Sequence, residues 1–172
     1  MPDPGNEGVP ASRATVVRLM MPTDANFMGN VFGGAILSEI DRVAYVTAMR
    51  HARSNCVTAS FDRVDFIAPV RVGDLVEFRS EITFVGRSSI EVWVVARAEE
   101  IHGGPKRTVA DAYVTMVALG PDGRPASVPP LTLTTEAERR RFKEGQRRMN
   151  ERRRLRARKT EESPTPGPST KE

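Results

Sequence analysis

A chain of 172 residues with 39% hydrophobic content is long enough to bury one core and is globular in composition. Its formal charge of +4 is unevenly placed: residues 136–162 hold 12 Lys or Arg against 6 Asp or Glu, so the remainder is slightly acidic. With its net positive charge confined to one segment, no apolar run of about 18 residues, no signal-type segment near the start and a lone Cys56, the sequence argues against nucleic-acid binding, membrane insertion and cysteine-metal or disulfide chemistry, and predicts a cytoplasmic protein.

Residues 1–11 read as a flexible leader, and 15–21 as a short apolar strand that Pro22 ends. A polar turn follows, Asp24-Ala25-Asn26-Phe27-Met28-Gly29-Asn30, after which the Gly33-Gly34 pair opens a helix over 33–51. Its Ile36, Leu37, Ile40, Val43, Ala44, Tyr45, Val46, Ala48 and Met49 are apolar around most of the circumference, which predicts a helix enclosed by other elements. Asp41, set among them, is an acid with little reason to be buried unless it performs chemistry. Glu39 lies about 200° away around the helix and is read as a structural or surface group.

Four strand-like runs come next, over 56–66, 75–85, 88–101 and 107–119, and their short connections predict an antiparallel meander. With only one sheet available, an apolar helix is best covered if that sheet curls around it, an α+β arrangement. Residues 135–158 form a second helix, with Thr134 or Thr135 as cap, Glu136 and Glu138 in the first turn and arginines at the far end, in keeping with the helix dipole. The Pro-, Ser- and Thr-rich segment 161–172 reads as a disordered tail.

Absent motifs narrow the chemistry. His51 ends the long helix and His102 lies in a hairpin, with no H-x-x-x-H spacing for a metal. Ser38 and Ser60 lack a G-x-S-x-G elbow, and Cys56 reads as a small buried residue rather than a nucleophile. A carboxylate-centred site without metal or organic cofactor remains. Asp41 is its acid, and the helix N-terminus at Gly33 and Gly34 offers unpaired amide donors. Bland alternatives stand beside these readings: Asp24 and Asn26 as turn formers, and Asp41 as a structural acid paired with Arg42 or Arg63.

The run Met21-Pro22-x-Asp24-x-Asn26-x-x-Gly29-Asn30-Val31-Phe32-Gly33-Gly34, the helical Asp41, and the later Val57-Thr58-Ala59-Ser60, Asp65-Phe66, Pro69-Val70-x-x-Gly73-Asp74 and Gly86-x-Ser88-Ser89 resemble the landmarks of the hotdog-fold acyl-CoA thioesterases. The resemblance is to the bacterial broad-range cytoplasmic acyl-CoA hydrolases and to their vertebrate relatives built from two fused copies. It implies an α+β hotdog domain over 12–134, an antiparallel sheet wrapped around one long central helix, with an additional arginine-rich helix over 135–160.

It also implies hydrolysis of fatty acyl-CoA to free fatty acid and CoA, in a homodimer or a hexamer formed as a trimer of dimers. Asp41 would serve as general base or nucleophile, Gly33 and Gly34 as amide donors, and the partner's Asn26 would orient the reacting carbonyl or water. Phe32, Ile36 and Phe66 become candidates for an acyl channel, and Arg87, Ser88, Ser89, Lys106 and Arg107 for contacts with CoA. A noncatalytic acyl-CoA-binding protein on the same fold is the alternative. A dehydratase is disfavoured because no histidine lies near Gly33, Gly34 or Asp41 in the sequence.

Overall fold

The computed structural model describes residues 12–162, apart from the side chains of Arg156 and residues 159–162; the expected leader and the tail from 163 onward lie outside it. Five strands and two helices follow in chain order: β1 (Arg13–Leu19), α1 (Gly33–Ala52), β2 (Asn55–Phe66), β3 (Asp74–Val85), β4 (Ser89–Glu100), β5 (Arg107–Leu119) and α2 (Glu136–Glu162). A single 3-10 turn, Pro22–Asp24, separates β1 from α1.

The strands form one antiparallel sheet in the order β1-β3-β4-β5-β2. The expected four-strand meander therefore holds only for β3, β4 and β5. Instead of pairing with β3, β2 lies at the far edge beside β5, and β1 takes the place next to β3. The segment 67–73 is a crossover rather than a hairpin turn: its Ile67 amide bonds to Val109 of β5, and its Val70 carbonyl accepts the Val31 amide. Nothing in a seven-residue connection distinguishes these two uses from sequence alone.

Alternation explains which face the sheet buries. On β4, Ile90, Val92, Val94, Ala96 and Ala98 are fully buried, and on β5 so are Ala110, Ala112, Val114, Met116 and Ala118. Against this face α1 lays Ile36, Ile40, Val43, Ala44 and Ala48 in one core cluster. The buried Thr47 of α1 is satisfied: its hydroxyl bonds to the Val43 carbonyl and to Ser80 on β3, and Ser80 donates to the Ala14 carbonyl on β1.

The expectation that α1 is enclosed on all sides is not met within one chain. Tyr45 (37%) and Val46 (43%) stay exposed on its outward side, as does Val57 (45%) on β2. The apolar circumference thus exceeds what one sheet can cover.

Compact packing divides the chain after Thr132. In the second unit, α2 begins with a reciprocal capping box. The Glu138 amide donates to Thr135 Oγ1, while the Glu138 carboxylate accepts from the Thr134 and Thr135 amides and from the Thr134 hydroxyl. Those donors hold the Glu138 carboxyl down to about 2, the Thr135 amide foremost.

Candidate active site

The turn before α1 is a small closed hairpin. Asp24 ties its base by accepting the Met21 amide on Oδ2 and the Phe32 amide on its carbonyl, and Ala25 bridges to Val31. Inside it, Asn26 Oδ1 accepts the Met28 and Asn30 amides at 2.9 and 3.3 Å, while Gly29 supplies a φ of +80°. Asn26 is therefore a turn former through its oxygen. Its side-chain NH2 keeps both donors without a partner among the described residues.

Next to it, α1 starts without a side-chain cap at Phe32. The Ala35 and Ile36 amides turn back to the Phe32 carbonyl, and those of Gly33 and Gly34 have no acceptor among the described residues. The two glycines differ in why they are small. A methyl group on Gly33 would lie 3.2 Å from the Phe66 ring, whereas one on Gly34 would meet nothing within 4 Å. Beside Gly33 runs a groove of about 320 Å³ whose walls include Val31, Ile36, Phe66, Ile67 and Val109. Phe66 is thus a wall of this groove; Phe32, half-exposed, is not.

The acids of α1 point to opposite edges of the sheet, as a 100° step per residue requires. Glu39, only 6% exposed, faces β1 and receives Arg18 at 2.5 Å and Arg42 at 2.6 Å. Asp41, half-buried, faces β2, where Thr58 donates its hydroxyl to Oδ1 at 2.6 Å. No cation pairs with Asp41 among the described residues: Arg42 is held by Glu39, and Arg63 by Asp65. The structural pairing considered for Asp41 is absent, and Glu39 is the structural acid.

Thr58 was not singled out by sequence reasoning. Its only signal was its place in Val57-Thr58-Ala59-Ser60; its contact with Asp41 depends on how a helix and a strand align across the core. A bulge immediately after it, at Ala59, interrupts the β2–β5 register.

The remaining candidates do not form one cluster. Ser89 pairs with Val117, which pairs with Val57, so Arg87, Ser88 and Ser89 lie at the end of the sheet nearest Thr58. Lys106 and Arg107 lie at the opposite end and are engaged: Lys106 with Glu77 (3.5 Å) and Glu99 (3.7 Å), Arg107 with the buried Asp74 and the Pro69 carbonyl. His51 bonds the Pro129 carbonyl, and His102 is exposed in the β4–β5 turn. Burial pushes the Cys56 thiol above its ordinary value, the reverse of what a nucleophile needs.

A curled antiparallel sheet on one long helix, with a carboxylate on that helix and free amides at its start, is the hotdog architecture in its hydrolase form. The thioesterase superfamily model matches residues 28–104. A Bacillus subtilis protein named as an uncharacterized acyl-CoA thioester hydrolase is 39% identical over 127 residues, 74% of each chain. The rat cytosolic acyl coenzyme A thioester hydrolase is 34% identical over 149 residues, 86% of this chain but 39% of that longer protein. Among solved structures, an apo-hexameric acyl-CoA thioesterase superposes with a TM-score of 0.80 at 38% identity, covering 86% of this chain and 94% of the other. The Staphylococcus aureus acyl-CoA hydrolase, solved with butyryl coenzyme A, coenzyme A and coenzyme A disulfide, gives 0.79 at 33% identity over 88% and 94%. Alanine variants of that enzyme at an asparagine, an aspartate and a threonine have also been solved. The chain belongs to the acyl-CoA thioester hydrolase family of the thioesterase superfamily.

Proposed function

We propose that this protein hydrolyses fatty acyl-CoA to free fatty acid and CoA, in the cytoplasm, at sites shared between two copies of the chain. The observation that carries the reading is Asp41: a carboxylate on an apolar helix, oriented by one hydroxyl and denied a cation. The residues substituted in the Staphylococcus aureus enzyme lie fifteen and seventeen positions apart, the spacing of Asn26, Asp41 and Thr58.

In the reaction, water adds to the thioester carbonyl, the C–S bond breaks, and CoA leaves as its thiol. Asp41 takes the proton of the attacking water and returns it to the departing sulfur; in the covalent variant it attacks the carbonyl itself, and water then opens the anhydride. Thr58 holds the carboxylate in place. Charge that develops on the carbonyl oxygen needs aimed donors, and the Gly33 and Gly34 amides and the Asn26 NH2 group are of that kind. Along α1, Gly33 and Asp41 are separated by eight residues, about 12 Å of helix rise, so one chain cannot bring both to one carbonyl. The partner's Asn26, Gly33 and Gly34 therefore complete the site of each Asp41. The exposed Tyr45, Val46 and Val57 are suited to that contact, and the groove beside Phe66 to the acyl chain. Arg87, Ser88 and Ser89 are assigned to CoA; Lys106 and Arg107, already paired, serve it only if those pairs open. Three such dimers make a hexamer, in keeping with the assembly named for the superposed relative.

The test is thiol release from an acyl-CoA series by the purified protein, by Asp41→Asn, by Asn26→Ala, and by the two inactive variants dissociated and reassembled together. A shared site predicts recovery of about a quarter of the activity, because half the dimers are mixed and each holds one intact site in two. Two inactive variants that never complement would overturn the shared site. Specific acyl-CoA binding with no release by the unsubstituted protein would mark a noncatalytic acyl-CoA-binding protein.

A further inference from the structure

Arg18, on β1, joins two acids that come from different parts of the chain. Its Nη2 donates to Asp24 Oδ1 at 2.8 Å and its Nη1 to Glu39 Oε1 at 2.5 Å. Both acids are largely buried, with side-chain exposures of 10% and 8%. Asp24 is the residue that closes the base of the Asn26 hairpin, and Glu39 stands two residues before Asp41. One guanidinium thus fastens the Asn26 hairpin to the helix that carries the carboxylate.

We propose that Arg18 is a positioning residue that sets the aim of the Asn26 amide by clamping its hairpin to α1. This rests on the reading of Asn26 and Asp41 as parts of a hydrolytic site. The hairpin has other attachments, the Val31–Val70 and Asn30–Arg71 contacts, but both lie on its return arm. On the outgoing arm, side-chain anchorage runs through Asp24. A planar guanidinium bonds two carboxylates at once in a fixed fork; an ammonium keeps the charge but not the fork. A donor displaced by about 1 Å costs on the order of a hundredfold in rate, so the clamp acts on turnover more than on binding. Where Asn26 serves the partner's Asp41, the same clamp links the donor of one site to the carboxylate of the other.

The experiment compares Arg18→Lys with Arg42→Ala, since among the described residues Arg42 is ion-paired to Glu39 and not to the hairpin, and is 67% exposed. Steady-state kinetics on one acyl-CoA are read together with amide hydrogen exchange of the intact oligomer. The expected result for Arg18→Lys is a kcat lowered tenfold or more, KM within about twofold, and faster exchange confined to residues 24–32, with native mass unchanged. Arg42→Ala stays near the unsubstituted protein in all three. Should Arg18→Lys not assemble, Glu39→Gln, which leaves the Asp24–Met21 bond of the hairpin intact and keeps an oxygen for both arginines while removing the charge at the helix end of the clamp, is expected to show the same pattern in milder form. Unchanged exchange, a looser hairpin with unchanged kcat, or an equal kcat loss in Arg42→Ala overturns the proposal. Absence of thioester hydrolysis in the unsubstituted protein overturns the function and any role of Arg18 in turnover, and exchange then still tells whether Arg18 holds the hairpin.

Discussion

Glu39 and Asp41 sit two residues apart on one helix, yet their surroundings differ in kind. Glu39 turns toward β1 into a cluster with Arg18 and Arg42, where its charge is balanced. Asp41 turns toward β2 and meets a hydroxyl, which orients a carboxylate without neutralising it. An acid gripped by two arginines points at its cations; an acid held by one hydroxyl on one oxygen gains a fixed direction and keeps its second oxygen for chemistry. Helix phase alone separates the two roles, which is why nearby acids in a sequence need not share a function.

The largest expected effect breaks this contrast at Asp41. Asp41→Asn keeps the shape and the Thr58 contact and is expected to lower kcat by roughly 10²- to 10⁴-fold, with the midpoint of denaturant unfolding nearly unchanged. Glu39→Ala does the opposite to the fold. It takes one of two partners from Arg18, which keeps Asp24, and the ion-pair partner from Arg42, and because both arginines reach solvent the cost is about 2 kcal/mol, below the range for a fully buried pair, measurable as a shift of the urea midpoint. Thr58→Val removes the orienting hydroxyl at nearly constant volume. A hydrogen bond to a charged group is worth about 1.5–3 kcal/mol, so a tenfold or greater fall in kcat is expected, and an unchanged kcat would show that Asp41 needs no orientation.

Smaller effects sharpen the comparison. Gly34→Ala adds a methyl group into open space and is expected to stabilise the chain by about 0.5 kcal/mol while lowering turnover, as paired melting and thiol-release assays would show. Glu138 is a third kind of acid, one that accepts two backbone amides at a helix start. Its folded carboxyl is held at about 2, below the usual value of about 4.3. Its contribution to the α2 cap is therefore fully present above the ordinary value and lost as pH falls through about 2. A carboxyl NMR titration of Glu138 checks this directly, and a midpoint near 4 would remove the cap from the account.

Strand ends were legible where turn chemistry marks them: β3 begins at Asp74 after Gly73, and β5 ends at Leu119 before Gly120 and Pro121. Strand order was not, because the pairing of β2 with β5 and of β1 with β3 is decided by long-range contacts that no local signal records. Asp41 stood out because an acid among apolar residues violates a local rule. Thr58 broke no rule, since threonine is at home in a strand. Its importance arises only when the core sets it opposite Asp41. The apolar excess of α1 was legible, but how far one chain covers it was not.

Gly34 carries a message of a different sort. The folded chain gives no reason of its own for glycine there: its backbone is helical, and a side chain would strike nothing within 4 Å. None of the described residues keeps the position bare, and on the proposed function the molecule or partner that approaches the helix end would do so. A population selected only for heat resistance should drift to alanine at residue 34, while one selected for turnover should hold glycine. The divergence of two such lineages at this one codon would measure how much of the sequence is written by its substrate rather than by its fold.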